Sequence, residues 1–515
     1  MACGNSESGG CVMFQKNISL HLLLIIPFIC LLSSPANSQE NTPDFISGEL
    51  IIGFRSAEAQ QNALKDLQAL GAGLTTRGGG SQSILAIPTS DRALKLTLDI
   101  FTTRGGKPQK QEELEILRQL SEDIRNSYDS VVYAHPNWIL KPYRRVIRKP
   151  VLFKDQLGSA NTRGAKLSSE PNDPIFQRGL HWHYLAPPGG MNAIGAWSIS
   201  KGGRQVVVAV LDTGILFNHP DIEKSGNVLE GYDFISDAVT AGDGDGRDAD
   251  ATDIGDPCPP DPASWHGTHV AATIGAAASN NGLGITGVNW SVSIVPIRVL
   301  GRCGGSVADI SAAIRWAAGL SEKGLPDNKH PADIINMSLG VILDCRPENV
   351  GQLISAINDA RQAGTVLVVA AGNDDLDVKQ VTPGGCASVI SVAASDRRGH
   401  LAPYSNFGAV TIMAPGGDVL RDDDKDGEVD GVWSLIAPSE QNPSGVAAYE
   451  GTSMATPHVS AAIALAIAHD DKLRRNPDGM MERVIRTAAK LVKGACPAEK
   501  PCSKGQLDAA TLLSR

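Results

Sequence analysis

Hydrophobic and polar positions change rhythm twice along the chain. Between residues 44 and 143, short apolar runs alternate with amphipathic stretches. Gly48–Phe54 (GELIIGF), Ser83–Pro88 (SILAIP) and Val131–Ile139 (VVYAHPNWI) have strand character, whereas Ala57–Leu70 and Gln111–Asn126 repeat apolar positions at helical spacing. The order strand–helix–strand–helix–strand, with room for one more strand near Leu74–Arg77, predicts a small open α+β sandwich of the split βαβ type. No constellation of catalytic residue types lies within it. Residues 144–169 then break the rhythm. Arg144, Arg145, Arg148, Lys149 and Lys154 precede a polar Gly/Ser/Asn stretch, the composition of an exposed, cleavable linker.

From Glu170 onward the apolar runs become continuous and β-branched. Gln205–Leu211 (QVVVAVL), Ser293–Val299, Asp333–Met337, Thr365–Ala370 and Val389–Ala393 read as strands covered on both faces. Helical patterns over Gly267–Ala278, Val307–Ala318 and Val350–Ala363 separate several of them. Ser453–Ala468 adds an apolar helix with Pro457 near its start, where proline is tolerated. Strands alternating with helices predict an α/β fold, a doubly wound and mainly parallel sheet, over residues 170–515.

Composition narrows the class. A chain of 515 residues exceeds one average domain. Its 42% hydrophobic and 20% charged content excludes wholesale disorder. A net charge of −10 offers no electrostatic footprint for nucleic acid. At the N-terminus, Lys16 precedes an apolar stretch from Ile18 to Leu32, and Ala36-Asn37-Ser38 supplies small residues. This is the arrangement of a cleaved export signal over residues 1–38. The apolar stretch is at the short end of what spans a bilayer, so no stable membrane anchor is expected. Of nine cysteines, Cys3, Cys11 and Cys30 fall in the segment to be removed. Six remain: Cys258, Cys303, Cys345, Cys386, Cys496 and Cys502. An even set in one domain of an exported chain suggests disulfides, and fifteen pairings are formally open.

Three short motifs carry chemistry. Asp212-Thr213-Gly214 ends a predicted strand, His266-Gly267-Thr268-His269 opens a helix, and Gly451-Thr452-Ser453-Met454-Ala455 places a serine at another helix start. A serine hydroxyl needs a neighbouring base to become a nucleophile. Histidine suits that role because it titrates near neutrality. The base in turn needs a carboxylate to hold its tautomer. Taken singly, Asp-Thr-Gly is a strand-end turn and the serine a helix cap. A metal pair of His266 and His269 lacks the zinc-protease spacing. The ordered set outweighs these bland readings.

The three motifs, extended by Thr456-Pro457-His458, closely resemble the active-site signatures of subtilisin-like serine proteases, a resemblance that spans about residues 170–515. It implies Asp212, His266 and Ser453 as a triad and Asn373, after Ala370-Ala371-Gly372, as a side-chain donor to the oxyanion. Asn336–Gly340 resembles the family's substrate-pairing strand, which implies substrate contacts at Ser338, Leu339 and Gly340, with Ala371 and Gly372 forming another wall. Residues 39–143, especially Tyr133-Ala134-His135-Pro136-Asn137, resemble the family's inhibitory propeptide. The family's cysteine-containing secreted members imply the pairs Cys258–Cys303, Cys345–Cys386 and Cys496–Cys502. The loop Ser279–Ile285 resembles a calcium loop, with ligands from Ser279, Asn281, Leu283 and Ile285, and Asp221 as carboxylate. Two acidic runs add candidates: Asp243, Asp245, Asp248, Asp250 and Asp253, whose charges repel without a cation, and Asp422–Asp430, which has D-x-D-x-D-G character.

The expectation is therefore a secreted, extracellular or periplasmic, monomeric serine endopeptidase. It would be made as a zymogen with residues 39–143 as intramolecular inhibitor, 144–169 as linker and structural calcium. Protein or peptide substrates and broad degradation are expected. A narrow processing protease and a non-catalytic binding protein on the same scaffold are the competing readings.

Overall fold

A computed structural model describes residues 43–71, 84–90, 93–98, 109–143, 145–146, 151–152, 170–438 and 442–514. The export signal and the strand expected near Leu74–Arg77 lie outside the described residues. In the N-terminal unit, Phe45–Phe54 (β1), Ile84–Ser90 (β2), Ala93–Leu98 (β3) and Val131–Pro142 (β4) form an antiparallel sheet in the order β2-β3-β1-β4. Helices Ala57–Gly71 (α1) and Lys110–Ser127 (α2) complete a βαββαβ order. Leu114, Leu117 and Ile124 line one face of α2 and pack with Leu50, Ile52 and Ala134 of the sheet. The strand missed in the sequence is β3, whose Lys95 pairs with Glu49 on β1 at 3.0 Å.

Arg145–Val146 (β5) and Val151–Leu152 (β6) form short strands, where an exposed connection was expected. Further strands follow in chain order: Val207–Asp212 (β7), Tyr232–Asp233 (β8), Ser293–Arg298 (β9), Gly305–Ser306 (β10), Ile334–Met337 (β11) and Leu339–Ile342 (β12). Val366–Ala370 (β13), Val381–Thr382 (β14), Ile390–Ser395 (β15), Ile412–Pro415 (β16), Val432–Ile436 (β17) and Gly445–Glu450 (β18) complete the set.

Seven of these make a parallel sheet in the order β16-β15-β13-β11-β7-β9-β8. Alternate residues of its strands feed two different cores, because side chains alternate across a strand. Val208 and Val210 pack with Val459 and Ile463 of the helix Thr452–His469. Ala209 and Leu211 face the other way, toward Ile310 of the helix Val307–Ala317 and Leu353 of the helix Pro347–Gln362. The sheet is covered on both faces, as its unbroken apolar runs require. Disulfides join Cys258 to Cys303, Cys345 to Cys386 and Cys496 to Cys502. No helix among the described residues is long and apolar enough to cross a membrane.

The N-terminal unit docks through the Tyr-Ala-His-Pro-Asn segment on β4. Asn137 Oδ1 accepts from the Ala308 backbone N–H at 3.2 Å, in the first turn of a helix whose early N–H groups have no intrahelical partner. Trp138 Nε1 donates to the Asn349 carbonyl at 2.8 Å. The Gln352 N–H donates to His135 Nε2 at 3.4 Å. Tyr133 lies against Gly351, where a β-carbon would come within 2.3 Å of its ring. That glycine is required by contact.

Candidate active site

Asp212 closes β7, fully buried at the carboxyl end of a central strand, where open α/β sheets build their sites. Its Oδ1 accepts from the Thr213 N–H at 2.8 Å and lies 2.7 Å from His266 Nδ1. His266 begins its helix directly after Trp265, which holds a left-handed backbone at φ 54°. Gly267 makes the approach possible, since a β-carbon there would stand 2.3 Å from the Gly214 carbonyl oxygen. A buried chain of hydrogen bonds fixes the pair. The Gly267 N–H donates to Thr213 Oγ1 at 2.8 Å, and Thr213 Oγ1 donates to Asp253 Oδ2 at 2.8 Å.

Ser453 lies in the first turn of the helix Thr452–His469, fully buried. Its hydroxyl donates to the Ser338 carbonyl at 2.9 Å, while His266 Nε2 is buried without a hydrogen-bond partner. The serine and histidine are thus not yet engaged with each other, a geometry often seen before a reacting group tightens the site. Asn373 follows β13. Its Oδ1 accepts from the Thr452 N–H and hydroxyl, each at 2.9 Å, which turns Nδ2 the other way, buried and unpartnered. Ser338 Oγ donates to the Ser453 carbonyl at 3.0 Å, and Ser460 Oγ donates to Asn336 Oδ1 at 2.8 Å, so β11 is tied to the serine helix.

The cleft is filled by the chain's own β4. Leu339 and Gly340 pair antiparallel with Pro142 and Lys141, and the Tyr143 N–H donates to the Ser338 carbonyl at 3.2 Å. The opposite edge is β10, with Gly305 against Leu140 and Ser306 against Ile139. This second edge escaped sequence reading, because two residues carry no periodicity. Tyr143 is buried with Ala370 and Val381. Gly340 and Gly372 border its ring, since β-carbons on them would lie 2.4 Å and 3.4 Å from Tyr143 atoms. Ala371 instead packs behind the pocket with Val378 and Ala393.

The expected calcium residues fare differently. In the loop Ser279–Ile285, Asp221 accepts from Asn281 Nδ2 at 2.8 Å and from the Ile285 N–H at 3.1 Å. Burial pushes Asp221 up to about 7, and the charge of Asp173 adds to the rise. Asp173, which the sequence did not reveal, accepts from the N–H groups of Asn280 at 2.7 Å and Asn281 at 2.9 Å. It lies more than a hundred residues upstream, with no local signal. Donors of this loop, the N–H groups of Asn280, Asn281 and Ile285 and the Asn281 side-chain amide, thus satisfy both carboxylates.

The acidic run from 243 to 253 corrects its expectation, because its five carboxylates do not converge. Asp243 pairs with the buried guanidinium of Arg298 at 2.5 Å, and Asp250 bonds the N–H of Thr252 at 3.0 Å. The Asp248 backbone N–H and carbonyl pair with those of Asp233, and Asp245 is exposed. Asp253 turns inward to brace Thr213, and burial, with the charge of Asp256, raises it to about 7. Protein cations and N–H groups do the neutralising that a metal was invoked for. Among the described residues, Asp422, Asp424 and Asp426 alone bring three ligand oxygens within 4.8 Å of one another, all exposed.

Residues 203–504 match the subtilase family. The chain belongs to that family. The extracellular protease of Xanthomonas campestris pv. campestris is 41% identical over 338 residues, covering 63% of this chain and 54% of that protein. The extracellular basic protease of Dichelobacter nodosus is 39% identical over 338 residues, covering 62% of this chain and 52% of its own. The chain thus spans about half the length of these relatives. A solved protease structure from Pseudoalteromonas arctica is 40% identical, with a TM-score of 0.60, covering 67% of this chain and 98% of that one.

Proposed function

We propose that this subtilase is a secreted serine endopeptidase, made as a zymogen and working by acyl transfer. One observation carries the reading. His266, held by Asp212 at 2.7 Å, leaves Nε2 unpartnered in the same cleft where Ser453 and the unpartnered Asn373 Nδ2 face an extended segment of polypeptide. In the proposed mechanism Ser453 Oγ attacks a peptide carbonyl and His266 takes its proton. Asp212 stabilises the imidazolium, and Asn373 Nδ2 with the Ser453 N–H holds the oxyanion. The C–N bond then breaks as His266 protonates the amine, and water releases the acyl group from Ser453.

Backbone pairing to β10 and β12 recognises extended peptides with little sequence demand, which favours broad extracellular protein degradation. The unit 43–143 acts as inhibitor by occupying that groove. The names of the two bacterial relatives support export, in keeping with the sequence at 1–38. Asp173, Asp221, Asn281 and the carbonyls of Ser279, Leu283 and Ile285 would hold a calcium ion of structural purpose, and the chain would act as a monomer. The test incubates purified protein with casein, with and without a serine-directed organofluorophosphate, beside Ser453→Ala. Wild type should digest casein and lose activity on labelling, and Ser453→Ala should be inert. Inactive wild type after removal of the N-terminal unit would overturn the protease reading, and an active Ser453→Ala would overturn the nucleophile.

A further inference from the structure

The strand that fills the cleft belongs to a longer track. β4 runs unbroken from Val131 to Pro142, about 40 Å at the usual rise of ~3.3 Å per residue. Its last four residues, Ile139 to Pro142, lie between β10 and β12. Its upstream half leaves the groove and crosses the helices Val307–Ala317 and Pro347–Gln362 of the larger domain. Tyr133, His135 and Asn137 alternate there along one face of the strand, as its period of two requires. The Tyr133 ring clusters with Ala308 and lies on Gly351. His135 Nε2 accepts from the Gln352 N–H and Asn137 Oδ1 from the Ala308 N–H, while Trp138 Nε1 donates to the Asn349 carbonyl. All of these contacts are made by side chains of β4 itself. A cavity of about 590 Å³ remains between Phe54 and Tyr133 on one side and Gly351, Ile354 and Ser355 on the other, so the ring does not exhaust the site.

We propose that this helix face, once the N-terminal unit has gone, is a second substrate-binding surface, taking the upstream part of an extended polypeptide whose downstream part lies in the groove. The proposal rests on the peptidase reading of that groove. The face is continuous with the groove, because one unbroken strand touches both. Its chemistry suits a polypeptide: a bare floor at Gly351 for an aromatic ring, two backbone N–H donors for side-chain acceptors, and a carbonyl for a side-chain donor. Counted back from Tyr143 in the pocket, the ring stands ten residues upstream, His135 eight, Asn137 six and Trp138 five. A substrate with an aromatic residue and then His, Asn or Asp at these spacings reproduces the contacts. Only a chain extended over about a dozen residues reaches from the face to the reacting bond. Unfolded and fibrous polypeptides meet that condition, and compact folded proteins do not. The affinity gained is modest, since a substrate has no counterpart of β1 and leaves its upstream backbone to water.

The test measures kcat/KM of the wild-type enzyme, freed of its N-terminal unit, on two peptidyl anilides. The short one carries the sequence of residues 139–143 and fills the groove alone, and the long one carries that of residues 131–143. The long anilide should be favoured about tenfold, the return of one or two net hydrogen bonds and a ring contact. The gain should lie in KM, because contacts remote from the reacting bond hold substrate and transition state alike. Alanine in the long anilide at the position of Tyr133, or of Asn137, should cut the gain about threefold or more. In the enzyme, Gly351→Ala puts a β-carbon where the ring lies, and should bring the long-to-short ratio close to one. If that variant does not fold, the substituted anilides on wild type carry the same test. A ratio near one in wild type, or a gain untouched by the alanines in the peptide or by Gly351→Ala, overturns the proposal. Turnover of neither anilide overturns the peptidase reading itself, a distinguishable result.

Discussion

The N-terminal unit and the parallel-sheet domain are both α/β layers, yet they are stabilised by different means. The parallel sheet is covered on both faces and is pinned by three disulfides, two of which close loops across sequence separations of 45 and 41 residues. The N-terminal unit has no cysteine between residues 43 and 143. Much of its polar docking chemistry lies on β4, where His135, Asn137 and Trp138 meet the two helices of the larger domain. Its Leu50, Leu117 and Trp138 share one apolar cluster with Ile310 and Leu353 of those helices. The disulfides thus all lie in the larger domain, whereas part of the N-terminal unit's apolar cluster is shared with its neighbour. The difference lies in whether a unit's cross-links and core are its own or borrowed from a neighbour.

The comparison can be broken or sharpened by experiment, beginning with the largest effect. Asn373→Ala removes the unpartnered Nδ2 donor together with the Oδ1 acceptor of the Thr452 N–H and hydroxyl, and should lower kcat by at least about 10²–10³ with little change in KM, as loss of one oxyanion donor does. Steady-state kinetics on the processed enzyme checks this, and a larger change in KM than in kcat would place Asn373 in binding instead. Replacing Cys258 and Cys303 by alanine should destabilise the parallel-sheet domain by about 3–4 kcal/mol in the chain-entropy model. Denaturant unfolding of the inhibited, processed form reads that loss, and the docking affinity of the N-terminal unit should barely move.

Smaller effects belong to the docking face. Asn137→Ala leaves the Ala308 N–H without its partner, and should weaken inhibition by a separately made 43–143 unit about tenfold. Its inhibition constant measures this directly. Burial is the main reason His135 falls to about 4 when docked, and the charge of Arg125 also lowers it. A docked value below the usual 6.5 means that the complex binds fewer protons than the free unit. Docking is therefore strongest above pH 6.5 and weakens as pH falls toward 4, by about fourfold between pH 7.5 and 6. Calorimetry with the Ser453→Ala domain should show this slope, and His135→Gln should flatten it.

Much of this was legible in the chain. The central strands of the parallel sheet were readable because burial on both faces demands an unbroken apolar run, as at Val207–Asp212 and Val366–Ala370. The helices beside them were readable from period alone. Strand β3 was not, because Lys95 and Thr97 give it only a short and weak alternation whose partner Glu49 lies far off in sequence. Asp253 was misread for a related reason. In the sequence it is one of five similar carboxylates, and only the folded chain turns it inward to Thr213 while Asp243 goes to Arg298.

The sequence by itself carried the two-unit plan and, in Asp212, His266 and Ser453, the residue types that the proposed acyl transfer needs, with Asn373 added by the family resemblance. Residue type and local period are written in every stretch of ten residues. Only the tertiary structure decided where these groups stand. It set His266 against Asp212 while Ser453 turns to the Ser338 carbonyl, brought Asp173 to the loop of Asp221, and laid the segment around Tyr143 through the cleft with its continuation on β18. Each of these joins residues far apart in the chain, and only packing the sheet fixes such distances.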